Sequence, residues 1–238
     1  MKVRLFIGTS PNSEDREIEM IYEYSLKKNT DCDLEITWMR LSNNKKDFWG
    51  GWNTKSWFTP FSGFRWSIPE YCNFEGRAIY TDVDMINLFD ISQLFSVDMK
   101  DCPIAARKGL RWSYEYCVMV FDCKKAQDHI WPLKKLKSNH KSHSFHKEYF
   151  NHSSLVAEID PSWNCLDGED KEINQIKQFH FTNMQSQPWH PSWYKGEPLP
   201  HPRNDILKVY EGLKLEALEN GFKLKEFPKQ KVKYNIKF

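Results

Sequence analysis

The sequence contains no long hydrophobic run. The longest apolar run near its start is Leu5-Phe6-Ile7, far shorter than a signal-peptide core or the roughly 20 residues of a membrane-spanning helix. The length also leaves no room for a membrane anchor followed by a stem. We therefore expect a soluble, unsecreted protein with no stable membrane anchor and a cytoplasmic location.

An excess of one charge and a regular cysteine spacing are also missing. The 34 Lys and Arg residues nearly balance the 32 Asp and Glu residues, for a net charge of +2, whereas a dedicated nucleic-acid binder carries a strongly basic face. The six cysteines form no Cys-x-x-Cys pair, which argues against a zinc knuckle and a disulfide framework. Nucleic acid is therefore not an expected partner, and the cysteines are expected to be reduced.

The chain does contain enough residues for one domain and many aromatic side chains. A length of 238 residues, 15% of them aromatic, suits one ordinary domain. A chain of this size buries roughly 70% of the surface that it exposes when unfolded, so it can build a core without disulfide bonds or structural metal ions. We expect one main domain over 1–190, with a C-terminal lid or helical extension over 191–238 packed on it.

Strand and helix patterns alternate at the start of the chain. A short buried strand over 3–7 precedes a helix over 14–28, which has acidic residues at its front and Lys27 and Lys28 at its end, as the helix dipole prefers. A second strand follows over 34–41. This order predicts an α/β fold with a mostly parallel central sheet flanked by helices.

The rest of the chain continues the α/β pattern with two interruptions. Further strands are expected over 78–81, 104–106, 118–121, 155–159 and 179–182, and helices over 123–136, 171–178 and 205–219. The interruptions are a Trp-rich segment over 43–66, predicted to be a long functional loop, and a segment over 134–152, predicted to be exposed and mobile. Tryptophans of the first segment are either platforms for sugar rings or packing for irregular chain.

Four histidines of the second interruption raise the question of a further metal site. The spacing of three would place His140, His143 and His146 near one face only in a helix, which the neighbouring Asn and Ser residues disfavour. We therefore interpret the segment as a solvated loop on the acceptor side. The residues concerned are His140, His143, His146 and His152.

Two acidic residues follow the strand predicted over 78–81. Asp82 and Asp84 are two positions apart, so on an extended backbone they project to the same side, at the carboxyl edge where open α/β sheets bind ligands. Two carboxylates there are suited to Mg²⁺ or Mn²⁺. The alternative is that the two acids only cap the next turn.

The region around these acids resembles the Asp-x-Asp region of glycosyltransferase family 8, the glycogenin-like and lipopolysaccharide galactosyltransferase-like enzymes. Other segments resemble the same family in order along the chain, over roughly residues 3 to 189. They are the segment over 64–69 with Arg65, Pro161-Ser162-Trp163-Asn164, the acidic segment Gly168-Glu169-Asp170, and the closing segment from His180 to Trp189.

The resemblance implies a GT-A (Rossmann-like) fold, a divalent metal, usually Mn²⁺, and retaining transfer of a hexose from a UDP-sugar, with UDP-glucose or UDP-galactose favoured. It implies Asp82, Asp84 and His180 as metal ligands. Donor contacts would come from Thr9, Ser10, Arg65, Asp82, Val83 and Gln187. Glu169 or Asp170 would lie under the reacting face of the sugar, as nucleophile, as electrostatic stabiliser, or simply as a partner of a helix dipole. The acceptor is a carbohydrate or another hydroxyl compound, and a homodimer is an open alternative.

Some positions depart from the family pattern. Pro11-Asn12 stands where the family has an acidic residue, Glu115-Tyr116-Cys117 replaces its Asn-Ser-Gly, and Gln187 replaces its Lys. These changes put base and sugar recognition in question and leave two alternatives open. One is a non-catalytic carbohydrate- or nucleotide-binding module derived from such an enzyme, and the other is a metal phosphoesterase that uses the same acids.

Overall fold

A computed structural model describes residues 1–109, 113–190, 194–227 and 231–234. Nine strands lie in these ranges: β1 (Lys2–Gly8), β2 (Asp33–Met39), β3 (Arg77–Asp82), β4 (Met85–Asn87), β5 (Ile104–Lys108), β6 (Tyr114–Asp122), β7 (Val156–Glu158), β8 (Cys165–Leu166) and β9 (Gln178–His180). The helices are α1 (Arg16–Lys28), α2 (Ile68–Tyr71), α3 (Ser92–Phe95), α4 (Cys123–Ala126), α5 (Leu133–Ser138), α6 (Ser142–Asn151) and α7 (Asn204–Glu219). No helix in the described ranges is both long and apolar enough to cross a membrane.

The central sheet has six strands in the order β2-β1-β3-β6-β5-β7. Its pairings are parallel except at β6, which runs antiparallel to both β3 and β5. A second sheet has the order β4-β9-β8. The expected α/β fold with a mostly parallel central sheet is therefore confirmed.

Two hydrophobic clusters cover the two faces of the central sheet. Alternation along β1 directs Leu5 and Ile7 to one face and Phe6 to the other. The cluster around Leu5 is rich in aliphatic residues and includes α1 and α7. The cluster around Phe6 is rich in aromatic residues and includes the Trp-rich segment, α4, α5 and α6.

The C-terminal helix α7 packs on α1 of the same domain. Ile206, Tyr210 and Leu213 are buried in the aliphatic cluster, and the Tyr210 hydroxyl donates a hydrogen bond to Glu17 Oε1 at 2.8 Å. Lys214 Nζ lies 3.0 Å from the same carboxylate. Of the extension predicted over 191–238, the structure describes 194–227 and 231–234.

The helix predicted over 123–136 is wrong as a single element. The chain forms α4, then an irregular stretch, and then α5, which begins directly after Pro132. Proline has no N–H to donate and disfavours helical geometry at the preceding residue. The helix predicted over 171–178 is also wrong, because that stretch holds only a 3-10 turn over Ile173–Gln175 and leads into β9.

The mobile loop predicted over 134–152 is wrong as well. Most of this segment is α5 and α6, and Ser142, His146 and Phe150 form the buried face of α6. Trp66 stacks on His146 and Phe150 with ring centroids 5.2 and 5.6 Å apart. A face built from Ser, His and Phe carries no aliphatic period, so the sequence pattern concealed the helix.

Candidate metal centre and adjoining clefts

Strand pairing brings together three potential metal ligands that are distant in the sequence. Asp82 ends β3, and the β3–β6 register, which pairs Thr81 with Val118, places Cys117 opposite Asp82 when continued by one residue. In the second sheet Met85 pairs with His180. The ligand atoms of Asp82, Cys117 and His180 all lie within 4.8 Å of one another.

Asp82 is fixed by a buried arginine. Arg65 Nη2 donates to Asp82 Oδ1 at 3.0 Å, while the Tyr80 hydroxyl donates to the same oxygen. The Arg65 guanidinium lies 4.3 Å from the centroid of the Tyr80 ring and also bonds the carbonyl oxygens of Ser62 and Tyr116. Burial alone would lower the pKa of Arg65, but the charge of Asp82 raises it. Arg65 is therefore an internal residue that positions Asp82, and it does not lie on the surface.

His180 is oriented by an amide on one side and faces a carboxylate on the other. Its Nδ1 lies 2.9 Å from Asn164 Oδ1, and its Nε2 lies 3.2 Å from Asp84 Oδ1. Because the amide oxygen can only accept, Nδ1 carries a proton, and Nε2 faces Asp84. Burial alone would lower the pKa of His180, but Asp84 raises it.

The space between Asp84 and His180 suits a cation. Asp84 Oδ1 is buried and accepts no hydrogen bond from the residues that the structure describes. A carboxylate oxygen and an imidazole lone pair that face each other repel unless a proton or a metal ion lies between them. A carboxylate oxygen and an imidazole nitrogen are donors that a divalent cation accepts, and the ligand oxygen of Asp82 lies within 4.8 Å of the ligand nitrogen of His180.

A cleft adjoins this centre and contains three of the residues predicted to bind the donor. Ser10, Val83 and Gln187 line it together with Asp84 and the segment 58–61. The Gln187 amide donates to the Phe181 carbonyl at 2.8 Å. The cleft thus connects the end of β1, the turn after β3 and the chain that follows β9.

Thr9, also predicted to bind the donor, lies beneath this cleft. It is fully buried, its hydroxyl donates to Glu19 Oε1 at 2.6 Å, and its N–H donates to the Met39 carbonyl at 3.2 Å. These contacts fix the loop after β1 to α1 and β2. Thr9 therefore supports the backbone that carries Ser10.

Asp15 is a cleft residue that the sequence analysis did not identify. Its Oδ2 accepts from the Ser10 N–H at 2.9 Å, and it lines the cleft beside Asp84. Burial raises the pKa of Asp15 to about 6. In the sequence this side chain is one of the acids at the front of the helix predicted over 14–28.

The two predicted catalytic acids lie in a turn after β8. Glu169 forms an ion pair with Arg107, and Arg107 also donates to the Asn164 carbonyl. Arg203 anchors the turn by donating to the Glu169 carbonyl at 3.0 Å. Asp170 is exposed. Through Arg107 and Asn164, Glu169 is connected to the residue that orients His180.

A second cleft runs along α6. Ser56, Trp57, Phe58, His140, His143 and His152 are among its lining residues, and Phe58 also lines the cleft at the metal centre. Trp66 Nε1 donates to His143 Nδ1 at 3.0 Å. Burial, with the Arg65 charge second, lowers the pKa of His143 well below its ordinary value. His143 is thus neutral and presents an Nε2–H.

Most of the Trp-rich segment packs internally. Trp52 and Trp57 are buried in the aromatic cluster, and each lies within 5.6 Å of the Phe64 ring, centroid to centroid. Phe58 is the exception, because 73% of it is exposed. Of the two interpretations given for the tryptophans, packing describes Trp52 and Trp57.

Comparison with solved structures finds glycosyltransferases. The galactosyltransferase LgtC, solved in complex with donor and acceptor sugar analogues, matches with a TM-score of 0.62 at 12% identity, over 96% of this chain and 98% of that chain. The glycosyltransferase GlyE of Streptococcus pneumoniae TIGR4 matches with a TM-score of 0.63 at 16% identity, over 98% of this chain and 66% of that chain. The bifunctional glycosyltransferase WbbM matches with a TM-score of 0.61 at 11% identity, over 92% of this chain.

These likenesses concern the fold. The chain spans about half of the WbbM structure, 51% of its length, and identities of 11 to 16% carry no residue-level assignment. Neither a comparison with protein-family models nor one with curated proteins gives a match. The expected GT-A glycosyltransferase fold is therefore confirmed.

Proposed function

We propose that this chain is a metal-dependent retaining glycosyltransferase that transfers a hexose from a UDP-sugar, with UDP-glucose or UDP-galactose favoured, to a hydroxyl acceptor. One observation carries the proposal: a buried Asp84 oxygen without a hydrogen bond faces His180 Nε2 at 3.2 Å. The pair lies at the carboxyl edge of a sheet with the glycosyltransferase fold. This edge is where open α/β sheets bind nucleotides.

Asp82, Asp84 and His180 would hold the cation. When bound, a divalent cation such as Mn²⁺ or Mg²⁺ neutralises the charge that develops on the departing diphosphate. The chain prepares this site, because Arg65 holds Asp82 in place and Asn164 fixes the His180 tautomer. Ligands held in advance by such partners need little reorganisation at the moment of reaction.

The cleft beside the cation would bind the nucleotide. Ser10 and Gln187 offer polar contacts on its two sides, and Val83 offers an apolar wall next to Asp84. Gln187, like Lys in the family pattern, stands in the closing segment, but it brings no positive charge to a diphosphate. We therefore expect binding of the diphosphate to depend more on the cation than it would with a lysine at this position.

The family resemblance implies that Glu169 or Asp170 lies under the reacting face of the sugar. The contacts of these two residues differ, and the difference distinguishes their roles. Glu169 is paired with Arg107, so it acts on the site through Arg107 and Asn164 and is best described as a positioning residue. Asp170 is exposed and free of that constraint. Of the two acids, Asp170 is therefore the one proposed to face the reacting carbon.

A non-catalytic binding module is the second candidate function. Gln187 supports it, because its amide is already bonded to the Phe181 carbonyl, and Cys117 supports it by placing a bulkier residue where the family has Gly. Such a module would bind UDP and a cation without breaking the sugar–phosphate bond.

The test measures UDP release from UDP-glucose and UDP-galactose in the presence of Mn²⁺. Wild type and the control Asp31→Asn should release UDP, because Asp31 is exposed and lies just before β2, at the opposite edge of the sheet. Asp84→Asn should lower the rate by about 100-fold or more, since a metal contributes several kcal/mol to such a step. Proton NMR of the first product should show retained anomeric configuration.

The other outcomes identify the rival functions. Binding of UDP without release of UDP from any UDP-sugar would favour the non-catalytic module. Release of inorganic phosphate in place of UDP would favour a phosphoesterase. Equal rates in wild type and Asp84→Asn would contradict the metal assignment.

A further inference from the structure

Cys117 adds a sulfur to the candidate metal centre. Its Sγ lies within 4.8 Å of both the ligand oxygen of Asp82 and the ligand nitrogen of His180. The position is set by the fold, because β6 runs antiparallel beside β3 and brings Cys117 opposite Asp82. Cys117 is half-buried, and no disulfide engages it.

The other two donors are held in place by neighbouring residues. Asn164 lies 2.9 Å from His180 Nδ1, and Arg65 and Tyr80 together hold Asp82. A tetrahedral cation with ordinary bonds to sulfur, nitrogen and oxygen spaces its ligand atoms roughly 3.3–3.8 Å apart. Small side-chain rotations are therefore enough to bring the ligand atoms of Cys117, Asp82 and His180 within bonding distance of one ion.

We propose that Cys117 is a thiolate ligand of this cation, together with Asp82 and His180, and that its sulfur raises the affinity of the centre for thiophilic divalent ions such as Zn²⁺ or Co²⁺ relative to a centre without the thiolate. The inference deepens the proposed function and rests on it for the role of the metal. Thiolate and imidazole donors favour such ions, whereas Mg²⁺ and Mn²⁺ favour oxygen ligands.

Charge balance agrees with this donor set. On coordination the Cys117 thiol releases its proton to solvent and its sulfur forms a bond to the metal, with no change of oxidation state. The thiolate and the Asp82 carboxylate then offset the two charges of the ion, with His180 neutral. Arg65, which is paired with Asp82, brings the net charge of the whole group, with Asp84 included, to zero.

The experiment titrates the metal-free full-length chain with Co²⁺ alone and records its absorption spectrum. The wild type should show a near-ultraviolet thiolate-to-Co²⁺ charge-transfer band that saturates at one equivalent. Cys117→Ser should lose this band and bind Co²⁺ about 10- to 100-fold more weakly, at least the loss typical of weaker outer-shell changes. Its affinity for Mn²⁺ should stay within the same order of magnitude.

Cys102→Ser is the matched control. Cys102 is also half-buried, and its Sγ contacts the backbone carbonyls of Lys100 and Ser154, so this variant should keep the band. Should Cys117→Ser fail to fold, alkylation of the wild type gives the same answer: Zn²⁺ should protect Cys117, but not Cys102, from iodoacetamide in peptide mass spectra.

Three results would overturn the inference. They are Co²⁺ binding without a thiolate band, a band that persists in Cys117→Ser, and a wild type that binds no Co²⁺. None of them decides the proposed function, which is tested by UDP release with Mn²⁺. Conversely, a thiolate band together with absent UDP release would leave the Cys117 ligand intact and refute the transferase.

Discussion

The two faces of the central sheet are covered by different kinds of side chain. One face carries aliphatic residues of β1 together with α1 and α7, whereas the other carries the tryptophans and phenylalanines around Trp66 with α5 and α6. The aliphatic face follows regular sequence periods. The aromatic face is built from irregular chain. Polar groups on its rings hold two side chains of the candidate site: the Trp66 N–H bonds His143, and the Tyr80 hydroxyl bonds Asp82.

This difference indicates which parts of the protein serve stability alone and which also serve the candidate site. The aliphatic face supplies most of the regular packing, and changes where α1 and α7 pack on it should affect stability alone. The aromatic face offers N–H and O–H groups at the rims of its rings, which aliphatic residues lack. Changes on that face should therefore affect both stability and the site.

The largest effect is expected from Trp66→Ala. Removing this buried ring should lower the free energy of unfolding by about 3–5 kcal/mol and also free His143 and α6. Ile21→Ala, on the aliphatic face, should cost about 2–5 kcal/mol and leave α6 protected. Denaturant unfolding and limited proteolysis over 139–152 measure the two effects. Equal proteolysis in the two variants would contradict the claim that α6 depends on the aromatic face and not on the aliphatic face.

Arg65→Met should have the next largest effect. It leaves the Asp82 carboxylate without its buried partner and should cost about 3 kcal/mol, while also weakening cation binding. Arg77→Met is the control, because Arg77 bonds the carbonyls of Phe95 and Val97 at 3.1 and 2.9 Å and should cost only about 1–2 kcal/mol. Calorimetric titration with Mn²⁺ should show weakened binding for Arg65→Met alone.

Asp15→Asn should remove a pH dependence. The pKa of Asp15 is raised to about 6 by burial, so the folded chain holds this proton more tightly than the unfolded chain. Its contribution to stability is complete below about pH 4 and is lost as the pH rises through about 6. The midpoint of thermal unfolding should therefore fall less between pH 4 and 7 in Asp15→Asn than in wild type, and Asp31→Asn should keep the wild-type slope. Identical slopes in wild type and Asp15→Asn would refute the assignment.

The smallest effect is expected from Tyr210→Phe on the aliphatic face. The variant loses the hydrogen bond to Glu17 and should be destabilised by about 1 kcal/mol. Because α7 packs on α1, UDP affinity should not change. A loss of UDP affinity comparable to that of Arg65→Met would mean that the two faces are not functionally separate.

The comparison also explains which parts of the fold could be predicted. The strands β1, β2 and β3 and the helices α1 and α7 were predicted to within a few residues, because aliphatic residues recur there at the strand or helix period. Helix α6 was missed, since its buried face is Ser142, His146 and Phe150. The turn after β8 was taken for a helix start, but Arg203, distant in sequence, bonds its carbonyls.

Some residues of the candidate site could likewise be predicted from the sequence, and others could not. Asp82, Asp84 and His180 were identified through the order of motifs, and the structure places all three at one sheet edge. Cys117 was noted only as a departure from the family pattern, because a single cysteine at a strand has no distinctive signal. Asp15 was hidden among the acids of a helix front. Both become visible only when strand pairing and loop packing bring them to Asp82 and Ser10.

The most direct test of the central claim is thermal unfolding of wild type and Asp84→Asn with UDP, with and without Mn²⁺. A saturating ligand stabilises the folded state by RT ln(1 + [L]/Kd), about 2.7 kcal/mol at 100 times Kd. The account predicts a concentration-dependent rise of the unfolding midpoint in wild type that requires both UDP and the cation and is absent in Asp84→Asn. An equal rise in both proteins, or a rise in wild type with UDP alone, would contradict it.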